Sequence, residues 1–162
     1  MVTDLDPVAV AKALSEPFRP EQLKWLPKTV RGDRALALPY ISGSDVQNRL
    51  DRAVGIAGWR DDYDVLPCGS VVCTLSLLVG GQWISKQDVG SPSEQPDEHD
   101  RVKAAFSDAL KRAAAKWGVG RYLRYLKSSW LPYDPIRKQL DLSRLPDMPA
   151  WASPSANGVS AH

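Results

Sequence analysis

Two cysteines, two histidines, two phenylalanines and two methionines are all that 162 residues supply of these types. With only His99, His162, Cys68 and Cys73 available, a histidine-centred catalytic triad and a zinc site of four Cys and His ligands are excluded. The cysteines are five residues apart, an odd separation that puts strand side chains on opposite faces, so two buried reduced thiols are expected rather than a disulfide. No apolar run approaches the roughly 18 residues of a membrane helix, and the first residues lack a signal-peptide core. A large excess of one charge is also missing: 21 Lys and Arg against 19 Asp and Glu leave +2. That excludes a histone-like basic arm and an acidic solvating chain. What remains, at 43% hydrophobic and 25% charged residues, is one globular domain with a tail, placed in the cytoplasm.

Local signals order the chain as α+β. Asp6 as N-cap and Pro7 at the first helical position start a short helix within residues 1–20, closed by Pro17 and Pro20. Two strands, 23–30 and 35–41, flank the polar turn Arg31-Gly32-Asp33-Arg34 as a β-hairpin. Ser44 caps a helix with Val46, Leu50, Ala53 and Val54 on one face, stopped by Gly55. A three-stranded antiparallel meander follows. Its first strand, 59–66, turns Trp59, Tyr63 and Val65 inward. The second, 71–79, is apolar enough for a centre strand covered on both faces, and the third, 82–89, alternates Trp83 and Val89 with Lys86 and Asp88 across the Gly80-Gly81 turn. Val102, Phe106, Ala109, Leu110, Ala113 and Trp117 recur at helical spacing, which predicts a long amphipathic helix packed on the sheet and stopped by Gly118 and Gly120. Core positions are also expected for Trp25, Trp59 and Trp83. The expected division is an N-terminal helix at 1–20, a core at 21–131, and a Pro-punctuated tail at 132–162 whose last dozen residues are disordered.

The near-neutral total conceals an uneven distribution. Residues 101–127 hold eight basic side chains, among them Arg101, Lys103, Lys111, Arg112 and Lys116, against Asp108 alone; the ten residues before them hold four acids and no base. Arg101, Lys111 and Arg112 lie off the apolar stripe, with Tyr122, Tyr125, Trp130 and Tyr133 following in sequence. Phosphate contacts combined with base stacking use this combination. The plain alternatives are a solvated helix face with Asp108 paired to Arg112, and, for the acids before the helix, a match to the positive end of its dipole.

Catalytic chemistry has little to work with. A metal-dependent nuclease needs convergent carboxylates and a nearby lysine, and although Asp61, Asp62 and Asp64 cluster, the acid-x-Lys partner expected after Asp88 is missing. The glycine pairs lack the strand–loop–helix setting of a phosphate loop. No enzyme, metal or cofactor is expected. A double-stranded-RNA-binding module shares the helix–three-strand–helix order, but it reads phosphates with lysines where this long helix begins Asp97-Glu98-His99-Asp100. An oligomeric scaffold without nucleic acid is the other alternative.

With these residues laid out, the chain resembles the Rad-fifty-two-type single-strand annealing family over roughly residues 23–127. Ser107-Asp108-Ala109-Leu110-Lys111-Arg112-Ala113-Ala114-Ala115-Lys116-Trp117-Gly118 is similar to its helix signature, Asp88-Val89-Gly90 to the end of its meander, and Tyr40-Ile41 with Gly55-Ile56-Ala57-Gly58-Trp59 to its first helix and strand. Residues 117–123 resemble the bacterial branch. The resemblance implies a ring-forming oligomer that binds single-stranded DNA in a basic groove. It further implies ATP-independent annealing or protection of single-stranded ends in double-strand-break repair, in the bacterial cytoplasm and nucleoid, with a single-strand-binding protein or recombinase as further partner. By the same resemblance Lys111 and Arg112 line the groove, and Arg31 or Arg34 supplies a cation from the first hairpin. Relatives with a second DNA site carry lysines near the Gly-Gly turn and before the long helix; here Val79 and an acidic loop stand there, which argues against that site.

Overall fold

A computed structural model describes residues 5–155, and the expected disorder of the final residues lies, from 156 onward, outside them. The chain divides into two compact units: residues 1–16 with 43–121, and residues 17–42 with 122–162. Residues 43–121 of the first are therefore inserted between the two halves of the second, and residues 1–16 precede both. The N-terminal helix lies in the helix–sheet unit, and segment 21–131 contributes to both units.

In the helix–sheet unit, α1 spans Pro7–Ser15, with the Asp6 carboxylate accepting from the Val8 and Ala9 amides. Val10 and Leu14 are its buried residues. Helix α2 (Gly43–Val54) buries Val46, Leu50, Ala53 and Val54 as the spacing predicts, together with Arg49, which it does not. The Arg49 guanidinium donates to the carbonyls of Ala13 and Leu14 at 3.4 and 3.2 Å and to that of Glu16. It thus satisfies the orphan acceptors at the end of α1, where the helix dipole favours a cation. Gly55, at φ 82°, turns the chain out of α2.

Strands β3 (Trp59–Val65), β4 (Val71–Val79) and β5 (Gln82–Gly90) form an antiparallel sheet with β4 in the middle. Gly80 and Gly81, at φ 58° and 72°, make the two-residue turn between β4 and β5. On one face Val71, Cys73, Leu75 and Leu77 are buried. The other is not covered as expected. It is only partly covered: Ser76 is buried while Val72, Thr74 and Leu78 are half-buried, and Ser76 bonds Ser85 and Thr74 bonds Gln87 at 2.7 Å each, with Arg60 4.4 Å over the Trp83 ring.

Side-chain parity differs from expectation in β5, whereas β3 turns Trp59, Tyr63 and Val65 to the buried face as expected. Trp83 and Val89 face outward, 41% and 39% exposed, while Lys86 and Asp88 point towards the helix. Val65 is 62% exposed at the end of its strand. Helix α3 (Glu98–Lys116), capped by Asp97, packs Ala105, Ala109 and Ala113 tightly, with Phe106 4.9 Å from the Tyr63 ring. Val102 is 47% exposed, one turn before the point where Gly90 of β5 seats against Ala105 and Ala109. Both cysteines are free; Cys73 is buried and its thiol pushed up to about 11 by that burial, whereas Cys68 is exposed, contrary to expectation. Burial, then the hydrogen bond to Asp61, likewise raises the Tyr63 phenol above its ordinary range.

The second unit is a four-stranded antiparallel sheet in the order β1 (Lys24–Arg31), β2 (Arg34–Tyr40), β6 (Ser129–Asp134) and β7 (Gln139–Leu140). Arg31 pairs with Arg34 across Gly32-Asp33, a two-residue turn with Gly32 at φ 62°. Part of the expected tail is thus a strand, and beyond it Ala152 is fully buried. No helix among the described residues is long and apolar enough to cross a membrane.

Candidate nucleic-acid interface

The fixed point of the α3 surface is Gly90. A β-carbon there would lie 2.3 Å from the Ala109 nitrogen and 2.4 Å from the Ala105 carbonyl oxygen, so only glycine lets strand and helix backbones come this close. Trp117 locks the far end: its Nε1 donates to the Leu75 carbonyl at 3.1 Å, and the Lys86 ammonium lies 4.7 Å over its ring. With that side held, residues 101, 104, 108, 111, 112 and 115 project along the opposite arc, at about 100° per residue.

The expected cations of α3 do not form one cluster. Arg112 and Lys116 converge on Asp88, with Arg112 Nε 3.6 Å and Lys116 Nζ 4.0 Å from its carboxylate oxygens. Lys116 Nζ also donates to the Gln87 carbonyl. Both basic side chains keep about half their surface in solvent (55% and 51%), while the Asp88 side chain keeps 24%. Such half-exposed pairs are weak, so the cations are steered more than they are neutralised. Lys111 is half-buried one turn beyond Ser107, whose hydroxyl lies beside Gly43 at the start of α2. Asp108 does not pair with Arg112; it accepts from the Ser91 amide at 3.2 Å.

Arg101 and Lys103 stand apart. Arg101 lies ten residues from Lys111, about 15 Å along the helix. Its Nη1 donates to the Gln95 and Pro96 carbonyls at 3.0 and 2.9 Å, which ties down the acidic loop before α3. Lys103 is exposed on the helix's first turns. Arg31 and Arg34 belong to the four-stranded unit. There the Arg31 guanidinium lies 5.2 Å over the Trp130 ring, and Arg34 Nη2 donates to the Trp130 carbonyl at 2.8 Å.

The acids considered for metal chemistry do not converge. Asp62 pairs with Thr74 on the outer face of the meander, and Asp88 with Cys73 on the inner one. Among the described residues no group of three or more His, Cys, Asp or Glu is placed to hold a metal ion. Sequence reasoning missed Arg49, although it falls on the same helical face as Val46 and Leu50. It also left the charge of the four-stranded unit uncounted: ten Lys and Arg against five Asp and Glu, where the helix–sheet unit has eleven against fourteen.

The motifs that suggested a family now have physical tasks. Asp88 and Gly90 respectively pin and seat α3. Gly58 stands where a β-carbon would meet the Val54 carbonyl at 2.0 Å, and Trp59 Nε1 donates to Asp51 at 2.7 Å. The profile of the Rad52/22 family double-strand break repair protein matches residues 7–132. The chain is similar to a single-stranded DNA-binding protein DdrA of Deinococcus deserti, 35% identical over 147 residues that cover 90% of this chain and 70% of the relative. The protein of the same name from Deinococcus radiodurans is 34% identical over 147 residues, covering 90% and 68%. The double-stranded-RNA module offered the same order of elements, but the match lies elsewhere: the chain belongs to the Rad52/22 family of double-strand break repair proteins.

Proposed function

We propose that this protein binds single-stranded DNA during double-strand-break repair, and that Lys111, Arg112 and Lys116 on α3 carry the contact. The observation that supports this best is a helix locked to its sheet, with half-exposed cations of its C-terminal half held along the β5 edge of that contact. Phosphate contacts need rigid placement more than a large net charge, and α3 supplies it. Arg31 and Arg34 add cations from the four-stranded unit, and Lys103 extends the helical set. Arg101 serves the fold first.

The protein works as a ring of identical copies, which repeats a modest patch into a continuous basic track. The track shields single-stranded ends or lets complementary strands meet without ATP. Its action needs no metal or other cofactor, belongs in the cytoplasm and nucleoid, and takes a single-strand-binding protein or a recombinase as further partner.

Fluorescence anisotropy with labelled single-stranded DNA, duplex DNA and duplex RNA, each over a salt series, tests the reading. Tight, salt-sensitive preference for single strands is expected. The double variant Lys111→Ala, Arg112→Ala should lose about 1–3 kcal/mol of that binding with fold and assembly kept. A preference for duplex RNA, or no binding at all, would refute it, and annealing is scored separately by mixing complementary strands.

A further inference from the structure

Strand alternation sorts the four-stranded sheet into two faces. One buries Ala35, Ala37 and Leu131. On the other, the pairings set Leu26 beside Leu38, Leu36 beside Trp130, and Arg34 beside Pro132. A register shift between Pro27 and Thr29 brings Arg31 onto this same face, opposite Arg34. The result is an apolar strip with cations at its ends: Arg31 and Arg34 at the turn, Lys24 opposite Tyr40 at the other end. Leu26 is 41% exposed and Trp130 37%.

Two contacts hold the tryptophan in place and leave it 37% exposed. Arg34 grips its backbone carbonyl at 2.8 Å, and Arg31 lies 5.2 Å over its ring, within cation–π range. An exposed apolar strip with a polar rim marks a binding surface. The rim here is cationic, in a unit with twice as many basic as acidic side chains, so the complementary partner presents phosphates together with flat apolar groups. Unpaired nucleic acid does so, whereas a duplex keeps its bases stacked inside.

We infer that this face is a single-strand contact of its own, in which Trp130 stacks a nucleobase while Arg31 and Arg34 hold the flanking phosphates. The inference rests on the single-stranded DNA reading above and adds a base-contacting residue to a set made only of cations. Stacking of this kind tolerates every base, so the contact is blind to sequence.

The test compares an oligo-dT strand with an abasic strand of equal length, over a salt series, for wild type, Trp130→Ala, Trp130→Phe and the double variant Arg31→Ala, Arg34→Ala. Wild type should prefer oligo-dT. Trp130→Ala should weaken oligo-dT binding roughly 5- to 150-fold at every salt concentration, erase the preference over the abasic strand, and leave the salt slope unchanged. The arginine variant should instead flatten the slope by about 0.7 for each phosphate it no longer neutralises. Trp130→Phe keeps an aromatic ring and should retain most of the affinity, which guards against a misfolded alanine variant. In the wild type oligo-dT should quench tryptophan emission more than the abasic strand does, and Trp130→Phe should remove that excess.

Unchanged oligo-dT binding by Trp130→Ala overturns the inference. So does a weakening that reaches the abasic strand equally, or dissociation of the assembly, which would make the face a contact between copies. If wild type binds no single strand, the reading under Proposed function falls first. If only the Lys111 and Arg112 variant weakens binding, that reading stands and this one fails.

Discussion

In the helix–sheet unit, Leu50, Leu75, Leu77 and Val46 have no exposed surface, and they lie in a unit whose charge is on balance acidic. In the four-stranded unit the residues of lowest exposure are small, Ala35, Ala37 and Ala152, and the charge is on balance basic. One unit thus carries the thicker core and the other the electrostatic excess. Under the proposed reading, net charge does not locate the phosphate contact. The α3 cations stand on the acidic unit, and Asp88 draws two of them towards the sheet. There, rigid placement substitutes for abundance. In the four-stranded unit, cations are plentiful and what distinguishes a site is the aromatic ring they surround.

The strongest way to break this contrast is Gly90→Ala. The added methyl would sit 2.3 Å from one backbone atom of α3 and 2.4 Å from another, neither of which can rotate aside. The helix must lift off β5, and a destabilisation of about 3 kcal/mol or more is expected in chemical denaturation. Hydrogen exchange should show where the damage falls: α3 and β5 lose protection while β1, β2 and β6 keep theirs. Equal deprotection of both units would mean that they unfold as one block, and the contrast would not hold.

Phe106→Ala probes the same core less severely. The ring is half-buried, tilted 40° against Tyr63 at 4.9 Å, so the substitution opens a cavity and removes an aromatic pair. About 2–3 kcal/mol is expected in the same denaturation assay, below the range for a fully buried phenylalanine. A near-zero change would show that the alanine row alone seats the helix.

How much of this was legible in the sequence follows from how local each signal is. Helix α3 announced itself because its periodicity is complete within the segment, and α1 because Asp6 and Pro7 act within one turn. Gly80-Gly81 fixed its turn for the same reason. Strand β6 gave no such sign. Its partner is β2, with residues 43–121 of the helix–sheet unit between them in sequence, and Pro132 reads locally as punctuation although it pairs with Arg34 in the ladder. Parity in β5 was open to misreading because a one-residue choice moves every side chain to the other face. Apolar Trp83 and Val89 suggested the inward set, but α3 brings Arg112, Lys116 and Trp117 to that sheet, and Asp88 and Lys86 turn in to meet them. The resemblance pointed to Lys111 and Arg112, yet no pattern in the chain separates them from Arg101, whose Nη1 is engaged by two loop carbonyls.

Asp88→Asn sharpens the contrast with the smallest expected cost to the fold. The substitution keeps the shape and a carbonyl oxygen, and removes the charge that holds Arg112 and Lys116. Half-exposed pairs of this sort contribute about 0–1 kcal/mol, so stability should change by no more than that. Binding should respond in the opposite direction to most substitutions at a working site. With the carboxylate gone, two cations no longer compete between protein and phosphate, and single-strand affinity should rise while the salt dependence steepens. An anisotropy titration at two salt concentrations decides it. If affinity falls instead, Asp88 is needed to aim those side chains at the phosphates, and positioning outweighs charge on α3 even more than the contrast between the units suggests.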